Sequence, residues 1–142
     1  MQRNALRTGE LVYLDSSALV KIFVDEPESR ALTQYLVASP ALASSALARV
    51  EVARAVRLQH GSMLAVERFL AGMQIMPLTD ELISGAAGLV SASVRSLDAI
   101  HLAAASSLGS SLAALVTYDR RMAAAAAGLG LALASPGASL ST

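Results

Sequence analysis

Cysteine is absent from the 142-residue sequence, which excludes a disulfide framework, a thiolate zinc site and a cysteine nucleophile. We therefore expect a reducing, cytoplasmic location. Long hydrophobic runs are also lacking, because a membrane span needs about 20 strongly apolar residues in succession. The longest candidate, Met122–Ala134, is short, rich in alanine and interrupted by Gly128 and Gly130. The sequence thus predicts a soluble protein without a membrane partner.

An excess of charge of one sign is lacking as well, because 11 Lys and Arg residues balance 11 Asp and Glu residues. This balance removes the simplest argument for nucleic-acid binding, a globally basic surface, and leaves only local patches. Ten of the 11 basic residues are arginine, whose planar guanidinium matches phosphate and carboxylate oxygens. Apolar residues make up 54% of the chain and charged residues 15%, so intrinsic disorder is excluded.

Short apolar runs alternate with longer helical patterns, which is typical of repeated βα units and a parallel sheet. The predicted strands are Leu11–Leu14, Ala41–Ala43, Gln74–Leu78, Leu115–Tyr118 and Leu131–Ala134. The predicted helices are Ser17–Val24, Glu28–Ala38, Ala46–Gln59, Met63–Gly72, Asp80–Ala92, Leu97–Leu108 and Arg120–Ala127. Together they predict one α/β domain over residues 1–142, with a lead-in at 1–10 and a flexible tail at 135–142.

Four acidic residues, which we call the acidic quartet, occupy positions that simple solvent exposure does not explain: Asp15, Glu51, Asp98 and Asp119. Asp15 and Asp119 end predicted strands, and the carboxyl edge of an open α/β sheet is where ligands bind. Glu51 and Asp98 lie in helical segments and would point to that edge if their helices begin there. Four carboxylates at one edge repel one another unless metal ions occupy it. Oxygen ligands without cysteine favour Mg²⁺ or Mn²⁺.

A purely structural interpretation of the quartet also stays open. Asp15 and Asp119 would then cap the helices that follow them. The other two acids would pair with one of three arginines nearby in sequence: Arg49, Arg54 or Arg95.

Three neutral residues accompany the quartet. Ser17 brings its hydroxyl to the same edge, where it would either hold a carboxylate or a metal-bound water, or cap the helix that begins there. Thr117 precedes Asp119 by two residues and is expected to support that acid or to pack. His101 follows Asp98 by three residues, and among alanines it is predicted to be packed and hydrogen-bonded rather than catalytic.

The segments that carry these residues are Leu14–Lys21, Glu51, Arg95–Ala103 and Thr117–Asp119. In this order and spacing the chain resembles PIN-domain ribonucleases, and specifically the VapC toxins of bacterial toxin–antitoxin pairs. The resemblance covers nearly the whole chain. It implies a three-layer α/β/α sandwich around a five-stranded, mainly parallel sheet.

The resemblance also implies a site and an activity. The acidic quartet is carried over as the metal-binding and catalytic site, with Ser17 as its polar neighbour. The implied reaction is Mg²⁺-dependent hydrolysis of RNA phosphodiester bonds, with Mn²⁺ as a substitute, leaving 5′-phosphate and 3′-hydroxyl ends. The implied partners are a structured RNA such as tRNA or rRNA, a cognate VapB-type antitoxin that inhibits the enzyme, and a second copy of the chain in a homodimer.

Two other classes of function remain open on the sequence alone. A phosphotransferase would use a strand-end aspartate as nucleophile. However, Ser17 stands where a haloacid-dehalogenase-like site has a second aspartate, and no lysine suited to bind phosphate follows a later strand. A catalytically silent binding module would instead receive a partner helix on an apolar face that equally suits core packing. That face consists of Leu19, Val20, Ile22, Phe23 and Leu32–Leu36.

Overall fold

A computed structural model describes residues 8–89 and 94–140 of the chain. Five strands form one sheet, and every strand pair in it is parallel. The strands are β1 (Leu11–Leu14), β2 (Ala41–Ser45), β3 (Gln74–Met76), β4 (Leu112–Val116) and β5 (Leu133–Ala134). All five predicted strands are therefore present. The largest displacement is at β4, which begins and ends before the predicted Leu115–Tyr118.

Seven α-helices connect the strands in the described part of the chain. They are α1 (Ser16–Phe23), α2 (Ser29–Val37), α3 (Leu47–Leu58), α4 (Met63–Ala71), α5 (Asp80–Ala87), α6 (Ser96–Ser107) and α7 (Arg120–Gly128). Each was predicted within a few residues, except that α5 ends earlier than expected and residues 90–92 of its predicted span lie outside the described part. None of the described helices has the length and apolar character needed to cross a membrane.

The strand order β3-β2-β1-β4-β5 places a change of direction between β1 and β4. From β1 the chain builds outward through β2 and β3, and it then returns to the other side of β1 as β4. In open parallel sheets the loops at such a switch point diverge and leave a crevice at the carboxyl ends of the strands. Leu14 at the end of β1 pairs with Val116 at the end of β4. Asp15 and Thr117 therefore begin the two loops side by side.

Alternation along β1 divides the core between the two faces of the sheet. Val12 and Leu14 face a cluster that includes buried residues of α1 to α4. Leu11 and Tyr13 face a second cluster that includes buried residues of α5, α6 and α7. Helices thus cover both faces, and the predicted three-layer α/β/α sandwich is confirmed.

The apolar face considered above for a partner helix belongs to this core. Leu19 and Leu32 have 0% of their surface exposed, and both lie in the cluster under α1 to α4. Val20, Ile22 and Phe23 are half-buried and pack against the same cluster. Core packing therefore accounts for most of this face, and the binding-module interpretation loses its main support.

The beginning of the expected flexible tail makes defined contacts. Ser135 donates a hydrogen bond from Oγ to the carbonyl of Thr117 at 2.7 Å, and Pro136 accepts one at 2.7 Å from the Tyr118 hydroxyl. Gly137 has φ of +83°, and an added Cβ would lie 2.9 Å from the Cβ of Ala31. The two hydrogen bonds hold Ser135 and Pro136 beside the loop that follows β4. Residues 141 and 142 lie outside the described part.

Candidate active site

Asp15 occupies the switch point directly after β1. Its side chain is buried, with 2% of the residue exposed. Oδ1 accepts hydrogen bonds from Ser17 Oγ at 2.6 Å and from the backbone N–H of Ala18 at 2.9 Å, and Oδ2 accepts one from Thr117 Oγ1 at 2.5 Å. Burial raises the pKa of Asp15 above its ordinary value, against the opposing effect of these hydrogen bonds. The fold thus holds a carboxylate in a place that penalises its charge.

Ser17 takes the first of the two roles considered for it. Its hydroxyl donates to Asp15, while Asp15 itself is the N-cap of α1. The same Ser17 oxygen accepts a hydrogen bond from the backbone N–H of Tyr118 at 3.0 Å. One hydroxyl therefore ties the start of α1 to the loop after β4 and fixes the carboxylate between them.

Thr117 is buried and supports two members of the quartet at once. Its hydroxyl donates to Asp15 and accepts from the backbone N–H of Asp119 at 3.1 Å. The expectation that Thr117 supports Asp119 is confirmed. Because its one hydrogen is directed to Asp15, the hydroxyl holds two acids from different loops in a fixed relation.

Replacing this hydroxyl provides a test of that support. In Thr117→Val the shape is kept but the buried Asp15 oxygen and the Asp119 N–H both lose a partner, so stability should fall by about 1–3 kcal/mol. Thr117→Ser keeps the hydroxyl and should lose clearly less. Urea unfolding of the two variants beside the wild type measures the difference. Equal stability of the two variants would show that the methyl group, not the hydroxyl, matters at this position.

Asp119 lies three residues beyond the end of β4, not at a strand end as predicted. The strand ends earlier than predicted because the pairing of β4 with β1 ends at Val116, opposite the last residue of β1. Asp119 is instead the N-cap of α7, and its Oδ1 accepts hydrogen bonds from the backbone N–H groups of Arg121 at 2.8 Å and Met122 at 3.1 Å. The capping role considered above is therefore observed, and the residue still borders the site.

Asp98 lies in the first turn of α6 and is half-buried. Burial raises its pKa above the ordinary value, and repulsion from Asp119 raises it further. Asp15 and Glu51 act in the same direction, whereas His101 opposes them. Asp98 is thus close enough to the other three acids to be affected by their charges.

Glu51, in α3, is held by two residues. Ser16 donates a hydrogen bond from Oγ to Glu51 Oε1 at 2.5 Å, and Nε2 of His101 lies 2.8 Å from the same oxygen. Burial would raise the pKa of Glu51, but the hydrogen bonds from His101 and Ser16 outweigh it, and the pKa lies below its ordinary value. Glu51 is therefore ionised at neutral pH, with one oxygen fixed.

Ser16 and His101 are the residues that sequence reasoning did not connect to the site. His101 is 1% exposed and hydrogen-bonded, so its predicted packing is confirmed, but its partner Glu51 was not foreseen. The signals were the position of His101 three residues after Asp98 and the presence of two serines after Asp15. The two serines have different partners, because Ser17 donates a hydrogen bond to Asp15 and Ser16 donates one to Glu51.

The predicted pairing of acids with nearby arginines is not observed. Within residues 8–89 and 94–140, the ion pairs of lysine and arginine join Lys21 to Glu26 and Glu28, and Glu51 contacts His101 instead. Five arginines near the quartet in sequence are exposed: Arg49, Arg54, Arg95, Arg120 and Arg121. The quartet therefore lacks the cations that would explain it as a set of structural ion pairs.

The donor chemistry of the quartet fits a hard divalent cation. All its donors are carboxylate oxygens, two of the carboxyls have raised pKa values, and a cation would offset the cost of their charge. Across the described ranges, no three His, Asp or Glu side chains are arranged to hold an ion as they stand. Binding a metal therefore requires these side chains to converge by rotation about their own bonds.

Comparison with known proteins assigns the fold to a family. The family model of the PIN domain matches residues 12–128. Ribonuclease VapC46 of Mycobacterium tuberculosis is 47% identical over 127 residues, covering 88% of this chain and 97% of that protein. Ribonuclease VapC47 of the same species is 41% identical over 134 residues, covering 90% and 98%. The chain therefore belongs to the PIN-domain family and, within it, to the VapC toxins.

Solved structures agree with this fold. The toxin–antitoxin complex from Klebsiella pneumoniae matches with a TM-score of 0.70 and 22% identity, over 88% of this chain and 97% of that chain. Mycobacterium tuberculosis VapC20, described as a sarcin–ricin loop cleaving toxin, matches with a TM-score of 0.67 and 15% identity, over 80% and 94%. At these identities the likeness establishes the architecture alone.

Proposed function

We propose that this chain is a divalent-metal-dependent endoribonuclease that acts as the toxin of a toxin–antitoxin pair. The observation that carries the proposal is the acidic quartet at the switch point of the sheet, which forms no ion pair with a lysine or an arginine among the described residues. Membership of the VapC toxins supports the choice of RNA as the substrate. The quartet and Ser17 are the residues to which we assign the reaction.

In this proposal Asp15, Glu51, Asp98 and Asp119 hold Mg²⁺, and Mn²⁺ can replace it. A bound Mg²⁺ supplies neutralisation of charge on the phosphoryl group and lowers the pKa of a water molecule for in-line attack. The protein contributes the carboxylates, which converge on the ion by rotating about their side-chain bonds. Ser17 and Thr117 orient Asp15, and the backbone of α7 orients Asp119.

The five exposed arginines supply the electrostatic attraction that a neutral chain needs in order to bind RNA. Arg120 and Arg121 follow Asp119 directly, and Arg95 precedes Asp98 by three residues. The amino ends of α6 and α7 lie at the same edge, where their N–H groups favour phosphate. We expect backbone contacts of this kind to position a structured RNA, such as tRNA or rRNA, without reading its sequence.

The partners and the location follow the family. We expect a VapB-type antitoxin to bind this chain and inhibit it, and a second copy of the chain to form a homodimer. The cytoplasm, where the RNA substrates are, is the expected location.

Cleavage of a mixed cellular RNA pool tests the proposal. Purified protein freed of any antitoxin should cut a few RNAs at defined sites in Mg²⁺ or Mn²⁺ and should cut none in EDTA. The fragments should carry 5′-phosphate and 3′-hydroxyl ends, which ligation-based mapping of the ends detects. No cutting by folded protein in either metal, or cutting that continues in EDTA, would contradict the proposed function.

A further inference from the structure

A series of hydrogen-bonded side chains, which we call the polar chain, leads from the core to Glu51; Tyr13 and His101 are buried, and Ser16 and Glu51 are half-buried. Tyr13 in β1 is fully buried, and its hydroxyl lies 2.7 Å from Nδ1 of His101. The other ring nitrogen of His101, Nε2, lies 2.8 Å from Glu51 Oε1 and 3.1 Å from Ser16 Oγ. The polar chain links β1, α6, α3 and α1 through four side chains. Burying so many polar groups is costly unless each is paired, so the arrangement specifies one geometry.

The partners determine which ring nitrogen of His101 carries the hydrogen. An ionised carboxylate only accepts, so Nε2 must donate to Glu51. In the tautomer with its single hydrogen on Nε2, Nδ1 is an acceptor, and the Tyr13 hydroxyl donates to it. Burial raises the pKa of Tyr13, which keeps this hydroxyl protonated. Tyr13 thereby selects the tautomer that Glu51 requires.

We propose that His101 is a positioning residue for Glu51: its Nε2–H, together with the Ser16 hydroxyl, fixes Oε1 and leaves Oε2 for the metal. The inference rests on the proposed function, because Glu51 matters in this way only if the quartet binds a cation. Both hydrogen bonds converge on Oε1, so the carboxylate cannot rotate without losing them. Groups that hold a ligating carboxylate from behind keep it ready to bind.

The tautomer gives a test that needs neither metal nor RNA. The chain has two histidines, and the second, His60, is exposed in the turn after α3 with φ of +57°. His60→Asn tolerates that backbone and leaves His101 as the only imidazole. Two-dimensional ¹⁵N–¹H spectra of the ring should show a hydrogen on Nε2 in metal-free buffer. A ring without a hydrogen on Nε2 would overturn the proposal.

Metal affinity and kinetics give the second test. In His101→Leu, Mn²⁺ affinity measured by calorimetry without RNA should fall about 10–100-fold, as is usual when the group behind a ligand is removed. We expect kcat to fall with it while KM for RNA stays near the wild-type value. His101→Gln, whose amide N–H reaches the position of Nε2, should restore most of the loss. Tyr13→Phe should fall between the two, since only the tautomer selection is lost.

A matched control separates positioning from stability. Leu70→Ala removes a buried side chain from α4, in the core cluster on the other face of the sheet, which includes no member of the polar chain, and it should lower the melting temperature. It should keep the Mn²⁺ affinity and kcat of the wild type.

Wild-type affinity and kcat in His101→Leu would overturn the proposal, as would a His101→Gln variant no better than His101→Leu. If His101→Leu does not fold, the Mn²⁺ affinity and kcat of Tyr13→Phe and His101→Gln test the proposal in its place. If the wild type neither binds Mn²⁺ nor cuts RNA, the proposed function fails instead, and the tautomer test still reports on the hydrogen bonds.

Discussion

Asp98→Asn is expected to lower the rate of Mg²⁺-dependent RNA cleavage on the order of 100-fold or more, because it removes one charged metal ligand. The substitution keeps the size of the side chain and lies in a half-buried first turn of α6. Burial raises the pKa of Asp98, and repulsion from Asp119 raises it further, so the charge that is lost is one that its surroundings penalise. The measurement is initial cleavage rate at saturating Mg²⁺.

Asp80→Asn is the matched control. Asp80 lies in the first turn of α5, so the variant loses the same favourable interaction with a helix amino end. Its side chain is exposed and outside the quartet. We expect the rate of this variant to stay at the wild-type value. Comparable cleavage by Asp98→Asn and Asp80→Asn would remove Asp98 from the site.

Asp15→Asn is expected to hold or raise the melting temperature in metal-free buffer at neutral pH. The buried carboxylate carries a charge that its surroundings penalise, and asparagine keeps the acceptor that caps α1, while its N–H group donates to Thr117 Oγ1 in place of the hydrogen bond that Oδ2 accepted. A gain on the order of 1 kcal/mol corresponds to about 4 °C in a domain of this size. In Mg²⁺ the order of the two proteins should reverse, since only the wild type gains stability from the ion.

The pH dependence of this difference follows from the direction of the shift. The pKa of Asp15 is raised in the folded protein above its ordinary value of 3.8. The penalty is therefore complete only above the raised pKa, and it decreases as the pH falls through the raised pKa toward 3.8. Melting curves in EDTA should show the advantage of Asp15→Asn disappearing over that interval. A lower melting temperature of the variant at neutral pH would mean that the charge of Asp15 stabilises the fold.

The general position of the quartet could be predicted from the sequence because each acid interrupts an apolar pattern. Asp15 follows four buried residues of β1, and that strand was predicted with its observed bounds. The beginning of β4 was missed because Leu112–Ala114 contains two alanines, which have low strand propensity. Only pairing with β1 makes this segment part of a strand.

The groups that hold the acids could not be predicted, because they come from distant parts of the chain. His101 lies 50 residues from Glu51 and 88 from Tyr13, and no local periodicity reports such contacts. We predicted pairing of the acids with arginines because these residues are near one another in sequence. Exposed side chains do not form contacts for that reason alone. A surface ion pair contributes at most about 1 kcal/mol, so little draws Arg54 toward Glu51.

The most direct test of the account is to locate Mn²⁺ by anomalous scattering in a crystal of the wild-type protein. The account predicts an ion at the carboxyl ends of β1 and β4, within about 2.0–2.6 Å of carboxylate oxygens of the quartet, Asp15 and Asp98 among them. Mn²⁺ bound only elsewhere in a protein that cleaves RNA, or no ion at this edge at concentrations that support cleavage, would contradict it.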